Sequence, residues 1–394
     1  MRRFEKHPVF SIALVLAVAI AGLLAASETY LRLSESVDVV TAGESLARPE
    51  RHIRLREWLP DTRFVFAPPE IRRLNPGGVV ADEYEVNVDG NGFIEPGRVH
   101  DDADLTVVFL GGSTTESMFV TPELRFPYRA GRLLEERLGV KVNSFNAAKS
   151  GNNAMHSLHI LSGKVLAMRT DVVVLMNNAN DLGVLSRYGT YWNGDSDFRQ
   201  LRTRERSLER SFRSLRDLVI PKTYRAIRRA LRRLAGRAPT GRALAAEVAA
   251  PEAAQPGIEL WADDYESALR QFVATARAWR VRPVLMTQVA LTDGELRRPA
   301  RDDGGDYLAG DKLARRGFTA ESFANSHAYF NQIARFVARS EGALLIDLAA
   351  EGPWTDTELY DGQHFADNGS RRAAEIIAAA LDDDLRGRLP AATQ

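Results

Sequence analysis

Cysteine is absent from all 394 residues. That excludes thiolate catalysis, disulfide staples and Cys-based metal sites. It also suits an extracytoplasmic bacterial domain that needs no oxidative folding. An excess of charge of either sign is missing too. Lys and Arg total 52 and Asp and Glu total 52, so nothing global points to nucleic acid. There is no internal repeat, and the phosphate-loop pattern G-x-x-x-x-G-K-[ST] does not occur. What remains has an ordinary globular composition, 45% hydrophobic and 26% charged. Its length suits one large domain with insertions, or two domains.

The first 33 residues read as separate from the fold. Arg2, Arg3 and Lys6 precede an apolar run from Val9 to Ala26. As a helix that run would be about 27 Å long at roughly 1.5 Å per residue, enough to cross a bilayer core. The leading basic residues favour a cytoplasmic N-terminus with the rest translocated. A cleaved signal peptide is the rival, but "LLAASETYLRL" reads as continuing helix with no clear small-x-small site. The expectation is a single-pass inner-membrane anchor with a periplasmic domain. Residues 34–103 read as a linker and small N-terminal subregion, turn-rich at "APPE" and "NPGG". Within it, "EYEVNVDGNGFI" suggests a short hairpin or strand end.

From Asp104 a rhythm sets in. Apolar runs at 105–110, 171–178, 282–289 and 343–348, with a weaker candidate at 141–148, read as strands buried on both faces, as in parallel sheets. Helical patterns at 126–139, 153–169, 263–279, 321–340 and 368–385 lie between and after them. The alternation predicts an open, doubly wound α/β sheet over 104–394. A helical insertion at about 196–258 interrupts it. Residues 199–242 hold fifteen Arg or Lys against three acids. Tyr224, Ile227, Leu231 and Leu234 form an apolar stripe there. Three readings stand: a solvated insertion helix, a helix on anionic lipid, or a surface for a polyanionic partner. The following "APTGRALAAEVAAPEAAQPG" reads as a flexible linker.

The chemistry concentrates at strand ends, where open α/β sheets bind ligands. "VVFLGGSTTESMF" ends an apolar strand in two glycines and a hydroxyl cluster. Ser113 falls at the strand's carboxyl edge, near a helix start whose free amides stabilise negative charge. Taken alone, Ser113 is equally well a helix cap. The other strand ends decide. "AAKSGNNA" follows the second strand, "NNANDL" the third, and "YDGQHFADNGS" the fifth. A serine hydroxyl needs a base, and His364 can take its proton. The base needs an orienting acceptor, and Asp361 lies three residues earlier. A tetrahedral oxyanion needs donors. The amides of Ser113 and Gly151 and the side-chain NH2 of Asn180 can supply them. For each residue a plainer role stands beside this one: a turn for Gly151, Asn180 and Asp361, a surface loop for His364.

These blocks resemble the SGNH hydrolase superfamily, the GDSL-type esterases and lipases. The nucleophile block is similar to "FLGGSTTE", with Ser113 as nucleophile. The glycine block is similar to "KSGNN", with Gly151 as oxyanion donor. The G-x-N-D block is similar to "NAND", with Asn180 as oxyanion donor. The D-x-x-H block is similar to "DGQH", with Asp361 and His364 completing the triad. The resemblance spans about 104–385 and implies a three-layer α/β/α, flavodoxin-like fold with a mainly parallel five-stranded sheet. It implies ester hydrolysis without metal or organic cofactor, on acetyl esters of carbohydrates or on lipid esters. Gly112 replaces the usual Asp, and Thr114 the usual Leu. Asn178 stands where Gly is usual, which implies a narrowed pocket or an unusual backbone angle, since Asn tolerates positive φ.

Several neighbours stay open. Thr115, Glu116 and Asn152 are candidates for lining the pocket. Tyr191 and Trp192 would floor a substrate groove or simply pack. His156 and His159 lack a carboxylate spaced for zinc and read as helix-surface or packing residues. Asp347 reads as structural. The expected protein is a membrane-tethered serine esterase acting on an acylated carbohydrate or lipid. The alternatives are an O-acyltransferase using the same triad on a cell-envelope polysaccharide, and a catalytically silent glycan-binding scaffold.

Overall fold

A computed structural model describes residues 16–20, 22–23, 26, 53–68, 79–193, 199–200, 202–203, 250–251, 253–254, 256–291 and 318–386. Most of the Arg-rich insertion, with its apolar stripe at 224–234, and most of the expected anchor lie outside them. The N-terminal residues that are described are helical and exposed. Among the described residues no helix is long and apolar enough to cross a membrane.

Contacts divide the chain into two units, Met1–Pro49 and Glu50–Gln394. Residues 53–103 therefore share a unit with the strands that follow them. The strands in chain order are β1 (Ile53–Arg54), β2 (Thr62–Phe66), β3 (Tyr84–Val88), β4 (Leu105–Gly111), β5 (Val142–Asn146), β6 (Val172–Met176), β7 (Arg202–Thr203), β8 (Arg282–Met286) and β9 (Leu344–Ile346). The helices are α1 (Ser113–Glu116), α2 (Phe126–Leu138), α3 (Ala154–Gly163), α4 (Ala179–Tyr188), α5 (Ile258–Ala278), α6 (Ala320–Glu341) and α7 (Asp367–Leu385).

The main sheet has five strands in the order β5-β4-β6-β8-β9. Every pairing in it is parallel. Its strands are apolar on both faces because both faces are covered. Val108, Leu110, Val173, Leu175 and Leu285 face one core, with side chains of α3, α5 and α6. Val107, Phe109, Val172, Val174, Val284 and Met286 face the other, with side chains of α2 and α7. The period-two alternation thus sorts one run of Val, Leu and Phe into two cores. Three layers result.

The chain adds β5 on one side of β4 and then β6 on the other. That reversal is the topological switch point, where a crevice opens beyond the carboxyl ends. The residues after β4 and β6 flank it.

The "EYEVNVDGNGFI" segment forms β3, paired antiparallel with β2. It then turns back so that Ile94 bridges both Val88 and Asn146. Arg125 is 2% exposed and fastens this region to the main sheet. It donates to the carbonyls of Glu85, Glu95 and Ser117. Burial pulls its pKa down to about 10, so the guanidinium stays charged at neutral pH.

Candidate active site

Ser113 opens the short helix α1, whose preceding residue Gly112 is extended. Its amide therefore has no acceptor within the helix. Its hydroxyl lies 2.7 Å from His364 Nε2. His364 Nδ1 lies 2.7 Å from Asp361 Oδ1. A carboxylate only accepts, so Nδ1 carries the proton and Nε2 accepts from the serine. Asp361 also accepts the His364 amide at 3.2 Å.

The loop carrying the pair is closed on itself. Leu359 bridges Phe365, the Tyr360 amide donates to the His364 carbonyl at 3.0 Å, and Ala366 donates to Glu358 at 2.8 Å. The Tyr360 ring stacks on the His364 imidazole at 5.6 Å and 9°. Phe119 meets Tyr360 edge-on, and Tyr84 of β3 meets Phe119 edge-on. An aromatic chain therefore runs from the N-terminal hairpin to the imidazole. Thr114 holds the loop from its other side. Its hydroxyl donates to the Gln363 carbonyl at 3.2 Å and accepts from Gln288 at 2.8 Å.

Asn152 ties the Asn180 side chain to the glycine loop. Asn180 Nδ2 donates to the Asn152 carbonyl at 2.9 Å, which leaves its second N–H for a ligand. A Cβ on Gly112 would stand 2.1 Å from that nitrogen. The amide of Asn180 thus occupies the space beside Ser113 that a side chain at 112 would fill. This accounts for glycine at 112. Gly151 has φ +79°, the left-handed region.

Several expectations change. Asn178 has φ −168° and ψ −75°, an unusual backbone angle but not the left-handed one that its tolerance of positive φ suggested. Nor does it narrow the pocket: it is fully buried and donates to the His327 carbonyl and to Asn331 Oδ1. Thr115, Glu116 and Asn152 are buried and supporting rather than pocket-lining. Burial raises the Glu116 pKa, and the Ser150 hydroxyl donates to its carboxyl. Tyr191 packs, donating to Asp181 at 2.6 Å, whereas Trp192 is exposed. His156 caps α3 from inside the fold. Asp347 takes a bidentate contact from Arg335 and a hydrogen bond from Thr287. Among the described residues no group of three His, Asp or Glu could hold a metal ion.

Tyr360 and Gln288 were not legible as site residues in the sequence. Gln288 reaches Thr114 across a separation of 174 residues. Tyr360 stood beside Asp361 in "YDGQH", and that adjacency was the available signal.

Beside Gln363 and Gln288 lies a cavity of about 430 Å³, lined also by Leu291, Phe323, His327 and Trp354.

No family model matches the chain, and no curated protein does. Solved structures similar to it include an acetylxylan esterase from Geobacillus stearothermophilus. That match has 15% identity and a TM-score of 0.38, covering 72% of this chain and 94% of that one. A lipase/acylhydrolase from Enterococcus faecalis matches at 16% identity and a TM-score of 0.38, covering 74% and 100%. Another acetyl xylan esterase matches at 16% identity and a TM-score of 0.38, covering 70% and 100%. At this identity and overlap, likeness alone assigns no residue a role.

Proposed function

We propose that this chain is a serine esterase acting through an acyl-enzyme on Ser113. The observation that carries the reading is the unbroken relay from Asp361 through His364 to Ser113, with both contacts at 2.7 Å. A histidine backed by a carboxylate and aimed at the hydroxyl oxygen is what a serine needs to lose its proton.

In the first half, Ser113 Oγ attacks the ester carbonyl while His364 Nε2 takes its proton. The Asp361 carboxylate steadies the imidazolium. The Ser113 and Gly151 amides and the Asn180 side chain receive the oxyanion, in a position prepared before the charge develops. The imidazolium then protonates the leaving alcohol. In the second half, water gives a proton to His364 and attacks the acyl carbon, and the bond to Ser113 Oγ then breaks as His364 returns that proton to it, releasing the acid.

The substrate is an acyl ester of an envelope glycan or lipid, acetyl being the expected acyl group. The apolar run Val9–Ala26 with its leading basic residues supports a tether that holds the catalytic unit at a bacterial inner membrane, facing the periplasm.

The test is hydrolysis of p-nitrophenyl acetate and longer esters by the full chain, with labelling by a fluorophosphonate probe. Wild type should label and turn over, and Ser113→Ala should lose both. A folded wild type that neither labels nor turns over would sink the esterase reading.

A further inference from the structure

The glycine loop after β5 is held by a residue nearly a hundred positions away. Arg56 Nη1 donates to the Ser150 carbonyl at 2.6 Å and to Asn152 Oδ1 at 2.7 Å. Asn152 Nδ2 returns a hydrogen bond to the Arg56 carbonyl at 3.1 Å. Next to it, Lys149 Nζ donates to the Glu57 carbonyl at 2.7 Å and lies over the Trp58 ring.

The Ser150 carbonyl and the Gly151 amide belong to one planar, trans peptide. Fixing the oxygen fixes the direction of the N–H opposite it. A cationic donor on that oxygen also polarises the peptide and strengthens its N–H as a donor. The second contact steers Asn152, whose backbone carbonyl holds Asn180 Nδ2 at 2.9 Å and Asn177 Nδ2 at 2.9 Å. One guanidinium thus acts on both oxyanion donors that lie outside the nucleophile's own helix. It also packs against Gly151: a Cβ there would stand 2.8 Å from Arg56 Nη2.

We infer that Arg56 is a positioning residue for the oxyanion site, fixing and polarising the 150–151 peptide and, through Asn152, setting the Asn180 amide. This rests on the serine-esterase reading above. It gives the N-terminal subregion a part in the reaction: that segment supplies a piece of the site's frame.

The experiment uses the full chain as wild type, Arg56→Ala and Arg56→Lys. It measures kcat and KM on p-nitrophenyl acetate, normalised to active sites counted with a fluorophosphonate. Losing one oxyanion donor costs about 10²–10³-fold in kcat. Arg56→Ala should therefore lower per-site kcat by about 10²-fold, with KM changed less than about threefold. The pH midpoint of kcat, set by the triad, should not move. Arg56→Lys, which keeps the charge but not the fork, should fall between. Added guanidinium at tens of millimolar should partly restore Arg56→Ala and leave wild type unaffected. A merely structural role predicts fewer titratable sites with unchanged kcat per site and no rescue, and that result would overturn the inference. Unchanged kcat in Arg56→Ala beside an active wild type would overturn it alone. A wild type that neither labels nor turns over overturns the esterase reading and this one together.

Discussion

At the scale of single residues, the site is built by groups that hold other groups. Asp361 and Tyr360 set the face and tautomer of His364. Asn152 sets Asn180. The same logic makes Gly112 a sensitive position, although it carries no chemistry. A methyl there would stand 2.1 Å from Asn180 Nδ2 and 3.0 Å from the Asn152 carbonyl. The carbonyl is backbone and the amide is tethered to it, so neither can yield without breaking their hydrogen bond. Gly112→Ala should therefore turn the Asn180 amide away and lower kcat by about 10²-fold. Fluorophosphonate labelling should slow in parallel, because the phosphonyl oxygen uses the same donors. Steady-state kinetics and labelling rates check this, and a variant within threefold of wild type in both would refute it. Asn178 shows the opposite case. Its place in the third block suggested a pocket role, yet its side chain serves α6.

At the scale of elements, the triad depends on how α7 seats against the loop before it. Asp367, the first residue of α7, accepts from the Thr121 amide at 2.9 Å and its hydroxyl at 2.8 Å. Two residues on, Gly369 lets the helix lie against the Glu358 carbonyl, where a Cβ would come within 2.1 Å. In an open helix Gly→Ala stabilises by up to about 1 kcal/mol. Here the backbone clash outweighs that gain, because overpacking costs about 1–3 kcal/mol and the obstacle cannot rotate away. Gly369→Ala should be destabilising by about 1–2 kcal/mol net, read as a lowered urea midpoint, and kcat should fall with it as His364 shifts. A raised midpoint would show that the helix has room to move. Four of the five sheet strands were legible because strands covered on both faces read as continuous apolar runs, whereas β5, "VNSFN", holds three polar residues and gave the weakest signal. The helices α2, α3, α5, α6 and α7 were legible from their period. β2 was not, since the i-e-i-e-i burial of "TRFVF" makes sense only beside β3. α4 was not, because its ten residues begin inside the oxyanion block. The strand-end blocks pointed to Ser113, Gly151, Asn180, Asp361 and His364 as candidates from local pattern alone. The partners that hold them come from distant turns of the chain, where no local pattern points.

At the scale of the whole molecule, the third block also joins two helices inside the core, through a carboxyl that should tie stability to pH. Asp181, in the first turn of α4, is fully buried. Its Oδ1 accepts from the Ala154 amide that begins α3 at 2.8 Å and from the Tyr191 hydroxyl at 2.6 Å. Its Oδ2 is buried without a partner. Burial raises its pKa from 3.8 to about 7, outweighing the two donors. Below pH 4 both the folded and the unfolded chain hold this proton, and the group makes no difference to stability. Between about pH 4 and 7 the unfolded chain releases the proton while the folded chain keeps it, so stability falls as pH rises. Above about 7 both have released it and the cost is constant. Each unit of pKa difference corresponds to about 1.4 kcal/mol, so the loss from pH 5 to 8 is about 2–3 kcal/mol. Asparagine keeps the accepting oxygen for Ala154 and Tyr191, places an uncharged amide where the protonated Oδ2 sat, and cannot ionise. Asp181→Asn should therefore gain about 2–3 kcal/mol on wild type between pH 5 and pH 8, whatever its stability at pH 5. Urea unfolding of both proteins at the two pH values measures that difference. Parallel pH dependences would mean that Asp181 is ionised in the folded protein at pH 5 already, with solvent or a cation reaching Oδ2.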